Sequence, residues 1–389
     1  MPDTGRVAMA IETVEAIPLR RDLGERFANA QKWIDSREYC LVRVVDESGT
    51  EGWGECWGPV AGNREVIEEY VGPWLRGRDP QAVESIHDDL RYRLRSSYHS
   101  YVPVSALSGV DIALWDLKGK RLGTSVARLL GGHTRSEVRA YATGHFWPDV
   151  DSFEAVRESV VAEAEGHVDA GFDALKNKIG LERIFPDRGR AADVELVRSI
   201  REAVGDDVRL MTDANHAYDP GDARWVGERL ADLDVHFFEE PVVPRDKRGY
   251  ARLNEALEVS LAGGECWAFL DEFDECLDRG CVDYLQPDVT SAGGLTTMRR
   301  VADLARARNA GLYPHVFGSA VALAASLQLL ATLPDVPEPM LEFDRTPNPI
   351  REDLAVSPIR NSGTTVPIRD EPGLGIEIDR DVLSAFRTD

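Results

Sequence analysis

Alternating apolar and polar residues near the start of the chain predict β-strands. Residues 11–17 follow this alternation along Ile-Glu-Thr-Val-Glu-Ala-Ile, which is the period of two typical of a half-buried strand. Two further strand candidates, residues 40–45 and 52–55, flank a turn at residues 47–49. Strands joined by a short glycine-containing turn indicate a β-hairpin. The chain is therefore predicted to begin with an antiparallel sheet.

The next part of the chain has helical periodicity. Between residues 62 and 131, apolar side chains recur at helical spacing, for example at Val110, Leu114 and Leu117. Such spacing predicts helices with one apolar face. Together with the strands before them, these helices predict an N-terminal α+β domain over residues 1–134.

From about residue 137, short apolar runs alternate with amphipathic stretches of 12–18 residues. The eight runs are residues 138–143, 174–179, 208–212, 235–238, 259–262, 284–286, 312–316 and 340–343. Strands that alternate with helices predict a parallel sheet, and eight of them favour a barrel over an open sheet. No glycine-rich phosphate loop follows the first strand, which weakens a nucleotide-binding alternative. We predict an α/β barrel over residues 135–345 and a tail, residues 346–389, that packs back on the first domain.

The net charge and the cysteines narrow the class of protein. A formal charge of −23 would repel nucleic acid and anionic membranes, so we predict neither as a partner. Five scattered cysteines without a CxxC motif indicate reduced thiols in a cytoplasmic protein. We expect no signal peptide, and no apolar run reaches the ~18 residues of a membrane span. Only six lysines occur, and an acidic, lysine-poor surface suggests a high-salt or GC-rich source.

Ionisable residues stand at the end of almost every predicted barrel strand. They are Lys176, Lys178, Asp213, Glu239, Glu265, Asp288, His315 and Glu342. The active sites of parallel barrels lie at the carboxyl ends of the strands. The sequence therefore predicts that these side chains meet at one rim.

Three carboxylates on consecutive strands predict a metal site. Asp213, Glu239 and Glu265 follow one another at intervals of 26 residues, which is one strand–helix unit each. Three negative charges that converge in a partly desolvated site require a cation. Oxygen ligands alone suit Mg²⁺. The alternative is three solvated loop carboxylates.

Two further pairs predict acid–base chemistry. Lys176 and Lys178 are two positions apart on a strand, so both side chains face the same side. A lysine near a cation, a second lysine and apolar walls is expected to have a lowered pKa and to act as a base. His315 and Asp288 end neighbouring strands, where a hydrogen bond would orient the imidazole. The alternatives are a surface lysine pair and a structural buried histidine.

Other residues are weaker candidates for substrate binding. Glu342 is interpreted as a hydrogen-bond partner of a substrate oxygen or as a structural rim acid. Asn215 follows the first predicted metal ligand closely, and His145 follows the first barrel strand. Trp33 and Trp57 are predicted to wall the pocket from the first domain.

Several motifs together resemble the enolase superfamily in its mandelate racemase subgroup. They are the helix at residues 106–120, Lys176-Asn177-Lys178, Asp213-Ala214-Asn215, Phe238-Glu239-Glu240-Pro241, Gly264-Glu265, Pro287-Asp288 and Pro314-His315. The resemblance covers nearly the whole chain. The sixth barrel strand carries no lysine, which separates the chain from the muconate-lactonizing and dipeptide-epimerase branch.

The resemblance implies a modified TIM barrel, (β/α)7β, with an N-terminal α+β capping domain. It also implies a Mg²⁺ cofactor held by Asp213, Glu239 and Glu265, and removal of a proton next to a carboxylate through an enediolate. Lys178 would be the base on one face, with Lys176 neutralising the substrate carboxylate. His315, oriented by Asp288, would stand on the opposite face. Glu342 matches a substrate-contacting acid of the subgroup, and residues 20–27, including Arg21, resemble a mobile lid loop. An ordinary charged surface loop is the alternative for that segment.

Two reactions share this intermediate. Dehydration of a sugar acid, an aldonate or aldarate, to a 2-keto-3-deoxy acid is the reaction we favour. Racemisation or epimerisation of a 2-hydroxy acid is the alternative, and a non-catalytic carboxylate- or metal-binding protein on the same scaffold is a further one. The resemblance also implies a homo-oligomer.

Overall fold

The computed structural model describes residues 9–95, 101–334 and 337–388. The first part of the chain folds into an antiparallel sheet covered by helices. Its strands are β1 (Ile11–Ala28), β2 (Trp33–Asp46) and β3 (Glu51–Cys56). Its helical segments are α1 (Val60–Glu65), a π-helical turn (Val66–Val71), α2 (Gly72–Leu75), α3 (Val83–Leu94), α4 (Tyr101–Leu122) and α5 (Val126–Leu129). We call this part the cap.

Glycines in β3 let helix α4 approach the sheet closely. A Cβ atom added at Gly54 would stand 1.8 Å from the carbonyl oxygen of Gly109 in α4, so no other residue fits there without moving the helix. Cys40 and Cys56 are opposite each other on β2 and β3, and both are buried free thiols.

The second part forms the parallel sheet that the eight apolar runs predicted. Its strands are β4 (Glu137–Thr143), β6 (Ala174–Lys178), β7 (Arg209–Asp213), β8 (Val235–Glu239), β9 (Ser260–Gly263), β10 (Tyr284–Leu285), β11 (Gly311–Leu312) and β12 (Leu341–Asp344), with a short strand β5 (Trp147–Pro148) after β4. The helical segments are α6 (Phe153–Asp169), a 3-10 turn (Leu181–Arg183), α7 (Gly189–Val204), α8 (Pro220–Ala231), α9 (Lys247–Ala256), α10 (Phe269–Asp278), α11 (Gly294–Ala307) and α12 (Ala320–Leu330).

The eight strands surround one interior cluster. Strand order is β11-β10-β9-β8-β7-β6-β4-β12. Each strand or its flank contributes one residue to the cluster: Tyr141, Ala174, Met211, Phe237, Ala262, Tyr284, Tyr313 and Met340. In the described ranges no strand pairing joins β11 to β12. The Val316 N–H instead donates 2.9 Å to Glu342 Oε2 across this seam. The predicted α/β barrel with an N-terminal α+β cap is therefore confirmed.

The tail contacts both parts of the molecule. Its elements are α13 (Pro349–Asp353), β13 (Thr365–Pro367) and α14 (Arg380–Phe386). Strand β13 pairs with β4 of the barrel, whereas Arg387 pairs with Leu19 of the cap. Among the described residues, no helix is both long and apolar enough to span a bilayer.

The segment interpreted as a lid loop is part of strand β1. Residues 20–27 continue the strand, with a shift of register between Asp22 and Phe27. Phe27 then pairs with Pro148 of β5, which connects the cap sheet to the first barrel strand.

Candidate active site

A cavity of about 840 Å³ lies between the cap and the carboxyl ends of the barrel strands. The barrel lines it with Lys178, Asn215, Glu265, Asp288, His315 and Glu342. The cap lines it with Gln31, Lys32, Trp33, Tyr39 and Trp57 among others. Six of the predicted site residues therefore share one space, and the two tryptophans predicted to wall the pocket do so.

The two lysines of β6 contact different carboxylates. Lys176 Nζ lies 2.9 and 2.8 Å from the two carboxylate oxygens of Glu239 and 2.8 Å from Glu342 Oε1. Lys178 Nζ donates to Asp213 Oδ2. Both side chains point to the same side of the strand, as their spacing of two residues requires.

The expected lowering of a lysine pKa is not found in this set of side chains. Burial lowers the pKa of Lys178, but the Asp213 carboxylate, with Glu239 and Glu265, raises it by more. Burial likewise lowers the pKa of Lys176, and Glu239 and Glu342 outweigh it, so the pKa stands well above its ordinary value. Here the carboxylates in direct contact outweigh the second lysine and the apolar walls, whereas the expectation had also included a nearby cation.

The carboxylates of Asp213, Glu239 and Glu265 suit a divalent cation. Burial, with the Asp213 charge added, raises the pKa of Glu239 to about 8. Burial, with Glu240 added, raises the pKa of Glu265 to about 7. Glu265 Oε2 accepts no hydrogen bond from any residue that the structure describes. A cation would relieve this repulsion, and the oxygen ligands match the preference of Mg²⁺.

His315 and Asp288 form the predicted pair. His315 Nδ1 lies 2.6 Å from Asp288 Oδ2, while Asp288 Oδ1 accepts hydrogen bonds from the N–H and hydroxyl of Thr290 at 2.7 and 2.5 Å. His315 Nε2 lies 3.2 Å from Glu265 Oε2. Burial lowers the pKa of His315, but Glu265, Glu342 and Asp288 together raise it to about 10. Asp288 therefore orients the imidazole, and the three carboxylates favour its protonated form.

Glu342 and Asn215 both border the cavity. Glu342 accepts hydrogen bonds from the Thr143 hydroxyl at 2.6 Å and from the Val316 N–H at 2.9 Å. Burial raises its pKa, and Lys176 and His315 lower it by more, to about 2. The Asn215 N–H donates 2.8 Å to Asp213 Oδ1, while Asn215 Oδ1 has no partner among the described residues.

Two predicted substrate-binding residues lie elsewhere. His145 is fully buried, and its ring nitrogens contact the Lys176 carbonyl oxygen at 2.9 Å and His167 Nδ1 at 3.1 Å. Arg21 is exposed and stacks over Phe386 of the tail at 5.8 Å. Neither side chain is among those that line the cavity, and substrate binding by either residue stays a prediction.

Two buried polar residues at the site were not predicted. Gln286 Nε2 donates 2.6 Å to Glu239 Oε2. Its position two residues before Asp288 on the same strand end was a usable signal, since such residues share a face. Glu55 of β3 accepts hydrogen bonds from the N–H groups of Ser319 and Ala322 at 2.9 and 3.1 Å. This long-range contact left no local signal in the sequence.

The two parts of the chain match two family models. Residues 21–131 match the mandelate racemase / muconate lactonizing enzyme N-terminal domain, and residues 159–382 match the enolase C-terminal domain-like family. The D-galactarolactone cycloisomerase of Agrobacterium fabrum is 41% identical over 385 residues, which cover 97% of this chain and 99% of that protein. The arabinonate dehydratase of Saccharolobus solfataricus is 31% identical over 90% of this chain and 91% of that protein.

Solved structures agree with these sequence matches. The 3,6-anhydro-D-galactonate cycloisomerase of Zobellia galactanivorans superposes with a TM-score of 0.87 and 34% identity, covering 98% of this chain and all of that chain. A racemase from Streptomyces coelicolor with bound magnesium gives a TM-score of 0.86 at 29% identity, covering 97% of this chain and 100% of that one. Sequence and fold thus agree along both domains: the chain is an enzyme that belongs to the mandelate racemase / muconate lactonizing enzyme family of the enolase superfamily.

Proposed function

We propose that this enzyme removes the proton next to the carboxylate of a sugar acid, an aldonate or aldarate, and dehydrates it to a 2-keto-3-deoxy acid. One observation carries the proposal. Lys178 and His315 line the same cavity, and each contacts a different member of the carboxylate cluster, Asp213 and Glu265. Two acid–base groups on either side of one cation site suit removal of a proton at one carbon and its delivery elsewhere.

Asp213, Glu239 and Glu265 are proposed to hold Mg²⁺. A bound magnesium ion would supply positive charge that stabilises the enediolate and offsets the Asp213 charge that raises the Lys178 pKa. Carboxylate oxygens are its preferred ligands, and a solved relative carries magnesium.

The protein's own residues would divide the remaining work. Lys178 takes the proton from the α-carbon, and Lys176 neutralises the substrate carboxylate. His315 holds the proton that it gives to the departing hydroxyl. Asp288 keeps the imidazole oriented. Asn215 Oδ1 and Glu342 are proposed to contact substrate hydroxyls.

Ring opening is a second candidate reaction, because a relative at 41% identity is named as a galactarolactone cycloisomerase. If the oxygen that leaves the β-carbon belongs to a ring, its departure opens the ring and loses no water. The same proton removal by Lys178 and the same proton delivery by His315 would serve. Epimerisation would instead return the proton to the α-carbon.

A panel of aldonic acids, aldaric acids and their lactones, incubated with Mg²⁺ in D₂O, tests the proposal. We expect α-proton exchange on at least one member, with formation of a 2-keto-3-deoxy acid. Product from open acids indicates dehydration, and product from lactones alone indicates ring opening. Exchange with inverted configuration and no keto product would establish epimerisation instead. Exchange on no member would contradict the proposal.

Two variants test the proposed roles of Lys178 and His315. Lys178→Met and His315→Asn should each abolish product formation, whereas the matched control Lys118→Met, on the cap helix α4, should behave like the wild type. Retained turnover in Lys178→Met would refute the assignment of the base.

We also propose that the enzyme works in the cytoplasm as a homo-oligomer. All five cysteines are free thiols, which suits a reducing compartment. Light scattering after size-exclusion chromatography measures the oligomeric state directly. A monomer at micromolar concentration would contradict the proposed homo-oligomer.

A further inference from the structure

Beside strand β6, three side chains converge outside the proposed reaction. His145 follows β4, and Glu163 and His167 lie one turn apart on α6. Each residue offers one potential ligand atom, and these three atoms all lie within 4.8 Å of one another. We propose that His145, Glu163 and His167 form a second metal site, one that binds a divalent transition metal of the Zn²⁺ type.

The hydrogen bond of His145 to the backbone turns its other ring nitrogen toward the cluster. His145 Nδ1 lies 2.9 Å from the Lys176 carbonyl oxygen, which can only accept, so the proton is on Nδ1. In the neutral tautomer that has its proton on Nδ1, the lone pair is on Nε2, and this atom faces His167 Nδ1 at 3.1 Å. A backbone carbonyl that fixes the tautomer in this way is the usual support of a metal-binding histidine.

His167 is also suited to bind a metal. It presents Nδ1 to the same point, 3.1 Å from His145 Nε2, and the residue is buried. Its Nδ1 proton, donated to His145 in the structure, can move to Nε2 when a metal takes its place. Two nitrogens that bind a tetrahedral Zn²⁺ at ~2.0–2.1 Å are about 3.3 Å apart, close to the separation observed here.

Glu163 supplies a carboxylate and a path to solvent. Its Oε1 accepts 3.0 Å from the His145 N–H, and the residue is only partly buried. A Cβ atom added at Gly144 would stand 2.5 Å from Glu163 Oε1, so glycine keeps this space open. Two imidazoles and one carboxylate match zinc ligation and differ from the all-oxygen cluster at the cavity.

Zinc binding to the enzyme kept in excess Mg²⁺ tests the site. After equilibrium dialysis, we expect the wild type to hold one zinc per chain more than His167→Gln. Glu163→Gln should bind that zinc more than about tenfold more weakly. Glu165→Gln, an exposed glutamate on the same helix, should match the wild type. X-ray absorption at the zinc edge should show two imidazole ligands.

Two outcomes would overturn the proposal: equal zinc content in the wild type and His167→Gln, or zinc surrounded by oxygen alone. Should His167→Gln fail to fold, Glu163→Gln decides, because a glutamine there can still accept from the His145 N–H. Unchanged zinc affinity in that folded variant would exclude Glu163 as a ligand and with it the site.

Discussion

Two glutamates, Glu239 in the barrel and Glu55 in the cap, are both buried, and burial disfavours the charge of each carboxylate. Their neighbours differ. Each is 1% exposed, and burial raises the pKa of Glu239 to about 8 and that of Glu55 to about 7. Glu239 lies against the Lys176 ammonium and the Gln286 amide with Asp213 nearby. Among the described residues, Glu55 accepts hydrogen bonds only from neutral donors at the start of α12, those of Ser319 and Ala322.

The difference separates a binding site from a structural contact between the cap and the barrel. Glu239 belongs to a cluster of like charges whose repulsion a cation would relieve, so its burial prepares the site for metal. The Glu55 charge is stabilised by N–H groups at a helix N-terminus, an arrangement that needs no cation. Because α12 follows the His315 segment, the hydrogen bonds of Glu55 connect the cap to the segment that carries the histidine.

Removal of the Glu239 charge should have the largest effect. We expect Glu239→Gln to lose turnover by about a hundredfold or more, because one charged group at the reacting centre is missing, and to bind Mg²⁺ more weakly by calorimetry. Glu258→Gln, an exposed glutamate before β9, is the control. Wild-type turnover in folded Glu239→Gln would show that this residue is not a ligand.

Glu55→Gln should affect stability rather than metal binding. The amide offers one acceptor oxygen to donors that now contact two, so we expect a loss of about 1–3 kcal/mol in the free energy of unfolding, measured by urea denaturation. Mg²⁺ affinity should stay at the wild-type value. If Glu55→Gln weakens Mg²⁺ binding as much as Glu239→Gln does, the interpretation of Glu55 as a purely structural contact is wrong.

The pH dependence of stability should reflect the raised pKa values at the proposed metal site. In metal-free protein, Glu239 and Glu265 have their pKa raised to about 8 and about 7, and His315 has its pKa raised to about 10. Between pH 6.5 and 8 the folded protein therefore binds more protons than the unfolded chain, so stability falls as pH rises.

We expect a fall on the order of 1 kcal/mol for each of the three groups over that range, measured by thermal unfolding, and a smaller fall when Mg²⁺ is added. The reason is that a cation replaces the protons which the carboxylates otherwise need. Stability that rises with pH over this interval in metal-free protein would contradict the pKa directions.

The smallest effect is expected at the cap wall. Lys32 is exposed and lines the cavity, where its charge attracts an anionic substrate across solvent. Lys32→Ala should raise KM a few fold, corresponding to about 1 kcal/mol or less, and leave kcat unchanged on whichever acid is turned over. A loss of kcat comparable with that of Glu239→Gln would place Lys32 in the chemistry.

The barrel rim was predictable because it rests on local rules. Alternation along a strand places Lys176 and Lys178 on one side, and parallel strands bring their carboxyl ends to one edge. These rules placed Asp288 beside His315 without any knowledge of distance. They did not determine where the His145 side chain points: this residue lies just beyond a strand end, its φ is +57°, and its ring turns back toward α6.

The sequence alone determined the barrel, its order of ionisable strand ends and the family resemblance, because each follows from periodicity or from motifs within a few residues. Only the tertiary structure decided which charges touch. Lys178 has a raised pKa because Asp213, from the next strand, contacts it. Glu55 meets Ser319 across 264 residues, and no local pattern encodes that contact. Electrostatic energies depend on separation in space, so they are settled only when the chain is packed.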